Sequence, residues 1–344
     1  MAEYDNLLQS VANTIATYKA GEIAVPTPAH VHRWVSQFGQ QLPFLREFDH
    51  VLKASFYTEQ RIRNFLHTLA HDAGVAGPNP AAYWASAHFL RVQKNGGSQR
   101  DMLRLFGETL YQQFGIDLNA CGQPGGDYIY LDDAVFSGSR VSNDLEPWIR
   151  QAPATARVRV IVGVLHHGGF FQSQQNLNAI IKSLGKNITL EFWRETELES
   201  RKYYRNTSQV LWPAVIPNTP EVTAYMAKPT KFPFDQRIVV APHQSPFSSE
   251  AGRQVLEEEF FIAGAKIIDG IGNPKPVIRP LGFSFFGIGF GAMTVTYRNC
   301  PNNCPLAMWW GDPEATSGAL CWYPLLPRDT YSTPVSVFHE LTDF

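Results

Sequence analysis

"YIYLDDAVFSGSRV" (residues 128–141) joins an apolar run to two adjacent aspartates, followed by small residues, a glycine and an arginine. Two neighbouring carboxylates repel each other, and burying them is costly unless other groups compensate. The apolar residues predict a strand over 128–131, and the pattern that follows predicts a helix over 139–151. Asp132 and Asp133 would therefore lie at the carboxyl end of a strand, where open α/β sheets bind their ligands.

Strands and helices alternate on both sides of this stretch. Apolar runs predict strands, and a 3.6-residue periodicity predicts helices. The predicted strands are 88–93, 157–165 and 187–193, and the predicted helices are 99–115 and 173–184. The run over residues 157–165 is mostly apolar, as is typical of a strand buried on both faces of a parallel sheet. The alternation therefore predicts an α/β fold with a parallel sheet.

Regions of different character flank this core, which spans residues 85–215. Residues 1–80 have helical periodicity and end in a glycine- and proline-rich stretch, which predicts a helical N-terminal region. Residues 216–344 combine loops, one long helix and short strand-like runs, which predicts an elaborated α+β region. We expect this C-terminal region to form a hood over the site, with residues 298–328 closing it.

Composition excludes several classes of protein. The net charge of −2 gives no global basic field for nucleic acid, although a local basic patch stays open. Four cysteines are too few for a disulfide framework in 344 residues, and the sequence opens without a secretory signal pattern. The longest uncharged stretch, 281–297, contains four glycines and is short for a membrane span. We therefore expect a cytoplasmic protein that does not bind membranes.

The residues after the aspartates are suited to binding phosphate. Backbone N–H groups at the start of a helix bind anions, and hydroxyl groups assist them. The predicted phosphate-binding residues are Ser137, Gly138, Ser139 and Arg140. Asp132 and Asp133 would accept hydrogen bonds from a sugar diol or hold a hydrated Mg²⁺. A ribose 5-phosphate carries both an anion and a diol, so these residues predict a site for such a ligand.

This stretch resembles the loop that binds phosphoribosyl pyrophosphate (PRPP) in type I phosphoribosyltransferases. In that family four apolar residues precede two acidic residues, two small or apolar residues, and a Thr/Ser-rich loop with a glycine. Asp132 and Asp133 match the acidic pair, and Ser137 to Ser139 match the phosphate loop. The resemblance covers roughly residues 85–215. It implies that the two aspartates are the catalytic, ribose-binding residues, with Mg²⁺ bound directly or through water.

The resemblance implies two further binding elements. "KNGGS" (residues 94–98) follows a predicted strand, where the family keeps its pyrophosphate loop. Its predicted pyrophosphate-binding residues are Lys94, Gly96, Gly97 and Ser98. Trp212 lies where the substrate hood of the fold usually sits, and we expect it to stack on a base; a core position is the alternative.

The flanks resemble the phosphoribosyltransferase-like effector proteins of bacterial conflict operons, including retron anti-phage systems. The resemblance rests on the overall arrangement and on the tail "NCPNNCPLAMWWG" (residues 299–311). It implies a toxin whose inhibitory partner is a reverse transcriptase with its DNA–RNA product. The N-terminal helices would contact that partner or a second copy of the chain in a homo-oligomer.

Two functions from different classes remain open. The first is an enzyme of the phosphoribosyltransferase or glycosyltransferase type, which breaks or exchanges the bond at C1′ of PRPP, a nucleotide, NAD or an RNA end. The second is a catalytically inactive module that binds a nucleotide or PRPP, or docks a partner. The retained acidic pair favours the enzyme. The short segment 116–127, where active family members carry a long catalytic hairpin, favours the binding module.

Other candidate residues have an ordinary structural alternative. His166 and His167 follow the third predicted strand and are either a surface pair or part of the site. The cluster 201–205 interleaves three basic residues with two tyrosines, which is typical of a solvated helix face or of a nucleic-acid contact. Cys300 and Cys304 lack a convincing second ligand pair, so they predict zinc only weakly.

Overall fold

The computed structural model describes residues 2–94, 97–242 and 244–328. Its α-helices, numbered α1 to α12 in chain order, are Ala2–Thr14, Pro28–Val35, Gln41–Ser55, Glu59–His71, Ala73–Ala76, Pro80–Ser86, Ser98–Phe114, Ser139–Gln151, His167–Ser183, Pro220–Met226, Glu250–Ile271 and Leu306–Trp309. Its strands, β1 to β6, are Phe56–Tyr57, His88–Phe89, Tyr128–Val135, Thr155–His166, Asn187–Leu198 and Val295–Thr296. Short 3-10 helices cover Leu118–Ala120 and Lys202–Thr207.

A four-stranded sheet with the order β2-β3-β4-β5 carries the predicted core, and every pairing in it is parallel. The prediction of an α/β fold with a parallel sheet is therefore confirmed. Strand β3 continues past the predicted end at residue 131, because Ala134 and Val135 extend the apolar run and pair with β4. Strand β2 is shorter than predicted and pairs only with Tyr128 and Ile129.

Helices α8 and α9 pack on each other and contribute to one buried core with the sheet. That core joins residues of β3, β4, α8 and α9, among them Tyr130, Val160, Val162, Leu145 and Leu177. Each fully buried aliphatic side chain of this kind contributes about 1.5–3 kcal/mol. The packing fixes α8 against the end of β3, which is where the acidic pair lies.

Helix α7 contacts both β3 and α4. It begins at Ser98, directly after the predicted pyrophosphate loop, with Gly97 at its N-cap position. Its buried residues, including Leu105 and Phe106, follow helical spacing, so the helix presents one apolar side to its neighbours. The start of α7 is thereby placed beside β3.

The chain divides into two compact units. One consists of Glu59–Leu198 and contains the parallel sheet; the other consists of the described parts of Met1–Thr58 and Glu199–Phe344. The sequence predicts three domains, at 1–80, 85–215 and 216–344. The two compact units are defined by contacts and do not test which segments fold as domains, so the three-domain division stays a prediction.

The second unit has an aromatic core. Phe44 stacks on Phe38 with ring centroids 4.1 Å apart, and Trp34 packs against Phe48 at 4.8 Å. The indole N–H of Trp34 donates to the Ala307 carbonyl at 2.7 Å, so a residue from the C-terminal region completes this core. These four aromatic residues are thus core residues of this unit. In the described ranges, no helix is long and apolar enough to cross a membrane.

A buried charge cluster lies at the start of β3. Asp127 accepts hydrogen bonds from Arg157 at 2.8 Å, from Arg159 at 2.9 Å and from the Tyr83 hydroxyl at 2.8 Å. Burial by itself would raise the pKa of Asp127, but these three donors lower it below the usual value. The cluster ties α6, β3 and β4 together at the end of the sheet opposite the acidic pair.

We predict that Asp127→Asn destabilises the protein by about 3 kcal/mol, because it leaves the buried Arg159 guanidinium without its main counter-charge. Urea unfolding at neutral pH measures the change. Glu146→Gln is the control: it breaks an exposed pair with Arg150 and should cost less than about 0.5 kcal/mol. Equal effects of the two substitutions would show that the buried cluster adds nothing beyond a surface pair.

Candidate functional site

The acidic pair lies in the last four residues of β3, within regular strand structure. Successive side chains of a strand point to opposite faces, so Asp132 and Asp133 are directed to different sides of the sheet. Asp132 is only 2 % exposed, whereas Asp133 is half-buried. The two carboxylates therefore have different surroundings, although they are adjacent in sequence.

Three protein groups donate to the Asp132 carboxylate. Its Oδ1 accepts the backbone N–H of Asp133 at 2.9 Å, and its Oδ2 accepts the Tyr130 hydroxyl at 3.2 Å. The Ser98 side chain, at the start of α7, forms a further hydrogen bond. Burial, together with the nearby charge of Asp133, nevertheless raises the pKa of Asp132 to about 7.

Tyr130 and Asp144 extend this network to α8. The same Tyr130 hydroxyl lies 2.8 Å from Oδ2 of Asp144, and Gln93 also hydrogen-bonds to Asp144. Burial and the two carboxylates raise the pKa of Tyr130. Asp144 and Gln93 were not predicted as site residues. The one signal in the sequence for this network was the spacing of Tyr130 and Asp132, because residues two positions apart in a strand lie on the same face.

Helix α8 begins at Ser139, as predicted, directly after the small-residue loop. Gly138 occupies the N-cap position in the left-handed conformation, with φ of 80°. The Ser137 hydroxyl lies 3.2 Å from the Ser139 hydroxyl and 3.4 Å from the Ser139 amide. Since the first amides of a helix have no acceptor within it, this end of α8 can bind an anion.

The loop before α8 is in close contact with the start of α9. A Cβ atom on Gly138 would lie 2.2 Å from the Gly169 carbonyl oxygen, and one on Gly169 would lie 1.9 Å from the Phe136 carbonyl oxygen. Both distances are shorter than any Cβ contact allows. Glycine is therefore required at both positions, and α9 fixes the shape of the predicted phosphate loop.

Hydrogen bonds between glutamine side chains and the backbone brace the predicted pyrophosphate loop. The Gln99 side-chain oxygen accepts the N–H groups of Val92 and Gln93, at 2.8 and 3.0 Å. Ser98 reaches the acidic pair, and Lys94 is exposed. Gly96 lies outside the described residues. The role of these residues in binding pyrophosphate stays a prediction.

His166 lies at the end of β4 and is fully buried. Its Nδ1 lies 3.1 Å from the Val135 carbonyl oxygen, and its ring contacts Phe136 with centroids 4.8 Å apart. Burial lowers the pKa of His166 to about 4, and the neighbouring His167 adds to the effect. His166 therefore supports the backbone that leads into the phosphate loop as a neutral side chain.

Trp212 belongs to the other compact unit. Its side chain is 8 % exposed, and its indole N–H donates to the Asp235 carbonyl at 2.7 Å. Its predicted stacking on a base stays a prediction, as does closure of the site by residues 298–328. In the basic–aromatic cluster, Arg201 pairs with Glu199 and Lys202 with Asp235, while Tyr203 is 87 % exposed.

Comparison with known proteins gives one result. The family model described as PRTase-CE, where PRTase abbreviates phosphoribosyltransferase, matches residues 31–328. No curated protein and no solved structure matches the chain. The match confirms the resemblance to phosphoribosyltransferases that the acidic pair and the following loop indicated.

We predict that Gly169→Ala destabilises the protein by at least about 2 kcal/mol, because the new methyl group would overlap the Phe136 carbonyl. Gly270→Ala in α11 is the matched control. Its Cβ would meet no atom within 4 Å, so it should be neutral or slightly stabilising. Chemical denaturation compares the two; wild-type stability of Gly169→Ala would contradict the described contact between the loop and α9.

We also predict a pH effect on stability from His166. Its pKa is lowered on folding, so the unfolded chain binds the extra proton and stability falls as the pH drops from about 6.5 towards 4. Between pH 7 and pH 5 the contribution is about 2 kcal/mol. His166→Gln should remove this part of the pH slope, whereas the exposed His50→Gln should keep it. Parallel slopes for wild type and His166→Gln would refute the prediction.

Proposed function

The chain belongs to the PRTase-CE family, and on this premise we propose that it binds a ribosyl 5-phosphate compound, with Mg²⁺, at the carboxyl end of β3. One observation carries the proposal: the acidic pair of β3 is followed by a loop of Ser137, Gly138 and Ser139 that opens α8. Carboxylates suited to a diol and a helix terminus suited to an anion thereby lie within one short segment.

The 5′-phosphate would bind at the start of α8. Its oxygens would accept the first backbone N–H groups of that helix and the hydroxyls of Ser137 and Ser139. Arg140 is exposed and would supply a positive charge. Lys94, Gly96, Gly97 and Ser98 would bind the pyrophosphate of a PRPP-like ligand at the start of α7.

The carboxylates fit a magnesium ion that is shared with the ligand. Carboxylate oxygens are suitable Mg²⁺ ligands, and Mg²⁺ commonly keeps several waters and binds one or two carboxylates together with substrate phosphates. Among the described residues, no group of three or more His, Cys, Asp and Glu side chains forms a metal cage. Mg²⁺ would therefore be held at the acidic pair, directly or through water, and would neutralise negative charge on a leaving pyrophosphate.

In the enzymatic form of the proposal, the chain breaks or exchanges the bond at C1′ of the ribose. Such a reaction passes through a cationic ribosyl transition state, which carboxylates stabilise and which correct positioning favours. The substrate would be PRPP, a nucleotide, NAD or an RNA end. The acidic pair would hold the ribose, and Trp212 would stack on a base.

A binding module without catalysis is the second candidate function. Two observations favour it: the short segment 116–127, which replaces a catalytic hairpin, and the protein donors that already engage Asp132. A metabolite profile of cells that express wild type or Asp133→Asn separates the candidates. An enzyme depletes its substrate only in the wild type, whereas a binding module leaves both profiles alike.

We also propose a biological setting for the protein. The flanks resemble effectors of retron anti-phage systems, which supports a toxin role with a reverse transcriptase and its DNA–RNA product as the inhibitory partner. Exposed Tyr203, beside Arg201 and Lys202, is a candidate contact for such a partner. Self-association through the N-terminal helices is the alternative use of that region.

We predict that the double variant Asp132→Asn/Asp133→Asn binds PRPP with Mg²⁺ at least about tenfold more weakly than wild type, because the charge that holds the diol and metal is lost. Its melting temperature should be unchanged or higher, since the like-charge repulsion disappears. Calorimetric titration and a thermal melt measure the two effects.

The control is Asp117→Asn/Glu146→Gln, which removes the same charge from exposed positions outside the acidic pair. It should bind as wild type does. Undiminished binding by the Asp132/Asp133 variant would refute the proposed site, and a melting temperature many degrees lower would show that the pair is structural.

A further inference from the structure

The two aspartates of the acidic pair differ in burial and in the face of the strand on which they lie. Asp132 is 2 % exposed, and both of its carboxylate oxygens accept hydrogen bonds from the protein. One of these donors is the backbone N–H of Asp133 itself, at 2.9 Å. Asp133 is half-buried and is directed to the other face of the strand.

We propose that Asp132 is a positioning residue that fixes the backbone of Asp133, and that Asp133 alone contacts the ribose diol and Mg²⁺. This inference rests on the proposed function, whose two aspartates it divides into different roles. The inference assigns importance to the hydrogen-bond acceptor of Asp132 and to the negative charge of Asp133.

The pairing of the sheet explains why a side chain is needed at this point. Strand β2 pairs only with Tyr128 and Ile129, so among the described residues the later part of β3 has no strand neighbour on that side. The Asp133 N–H instead donates to the Asp132 side chain. That side chain thus takes the place of a strand partner where the ligand would bind.

Tyr130 and Asp144 hold the Asp132 carboxylate in place. The Tyr130 hydroxyl lies closer to Asp144, at 2.8 Å, than to Asp132, at 3.2 Å. In Asp132→Asn the single hydrogen of this hydroxyl can be donated to Asp144, which leaves its oxygen able to accept from the side chain at position 132. Asparagine fits this position: Oδ1 can accept the Asp133 N–H while Nδ2 donates to the Tyr130 oxygen.

The test compares asparagine and alanine at each position of the full-length chain. At position 132 the acceptor matters, so Asp132→Asn should bind PRPP with Mg²⁺ within about threefold of wild type, and Asp132→Ala should lose about tenfold. At position 133 the charge matters, so Asp133→Asn should lose as much as Asp133→Ala. Asp132→Leu, which fills the space without an acceptor, replaces Asp132→Ala if that variant fails to fold.

Amide hydrogen exchange at Asp133 supplies a measurement that needs no ligand. Protection of this amide should be retained in Asp132→Asn and reduced at least about tenfold in Asp132→Ala or Asp132→Leu. Unchanged protection in the variants without an acceptor would overturn the inference, even if the protein bound no ribosyl phosphate and the proposed function were wrong. Equal loss of binding in Asp132→Asn and Asp133→Asn, with the Asp133 amide still protected, would overturn it as well.

Discussion

The carboxylate of Asp132 is buried at the end of a strand, and a buried carboxylate must be supplied with hydrogen-bond donors. This requirement organises its surroundings. It accounts for the position of Ser98 at the start of α7 and for the polar Tyr130 inside an otherwise apolar core. Through the Tyr130 hydroxyl it also links β3 to Asp144 of α8. The elements that form the candidate site are thus connected by polar contacts as well as by packing.

Local features of the sequence were sufficient to predict the fold class and the start of helix α8. Gly138 and the hydroxyl residues beside it specify a turn into a helix, and the structure has α8 over the predicted residues. Strand lengths were predicted less well. Strand β2 ends before its predicted limit and β3 ends after its predicted limit, because pairing with neighbouring strands determines where a strand ends. The sequence of one strand does not show which strands pair with it.

The network around Asp132 could not be predicted for a similar reason. Asp144 lies twelve residues further along the chain and on a different element, and only the packing of α8 on β3 brings it to Tyr130. Gln93 and Ser98 reach the same carboxylates from the preceding loop. Individually these residues resemble ordinary polar residues of helices and loops. Their relation to the acidic pair depends on contacts between elements that no local pattern specifies.

The contact between Gly138 and Gly169 has a consequence for how the molecule folds. The loop before α8 lies against the start of α9, and α9 follows β4 in the chain. A nascent chain that ends before β4 carries every residue of the phosphate loop but lacks the element that shapes it. The candidate site is therefore a product of contacts distant in sequence, which form late because loop closure must precede them.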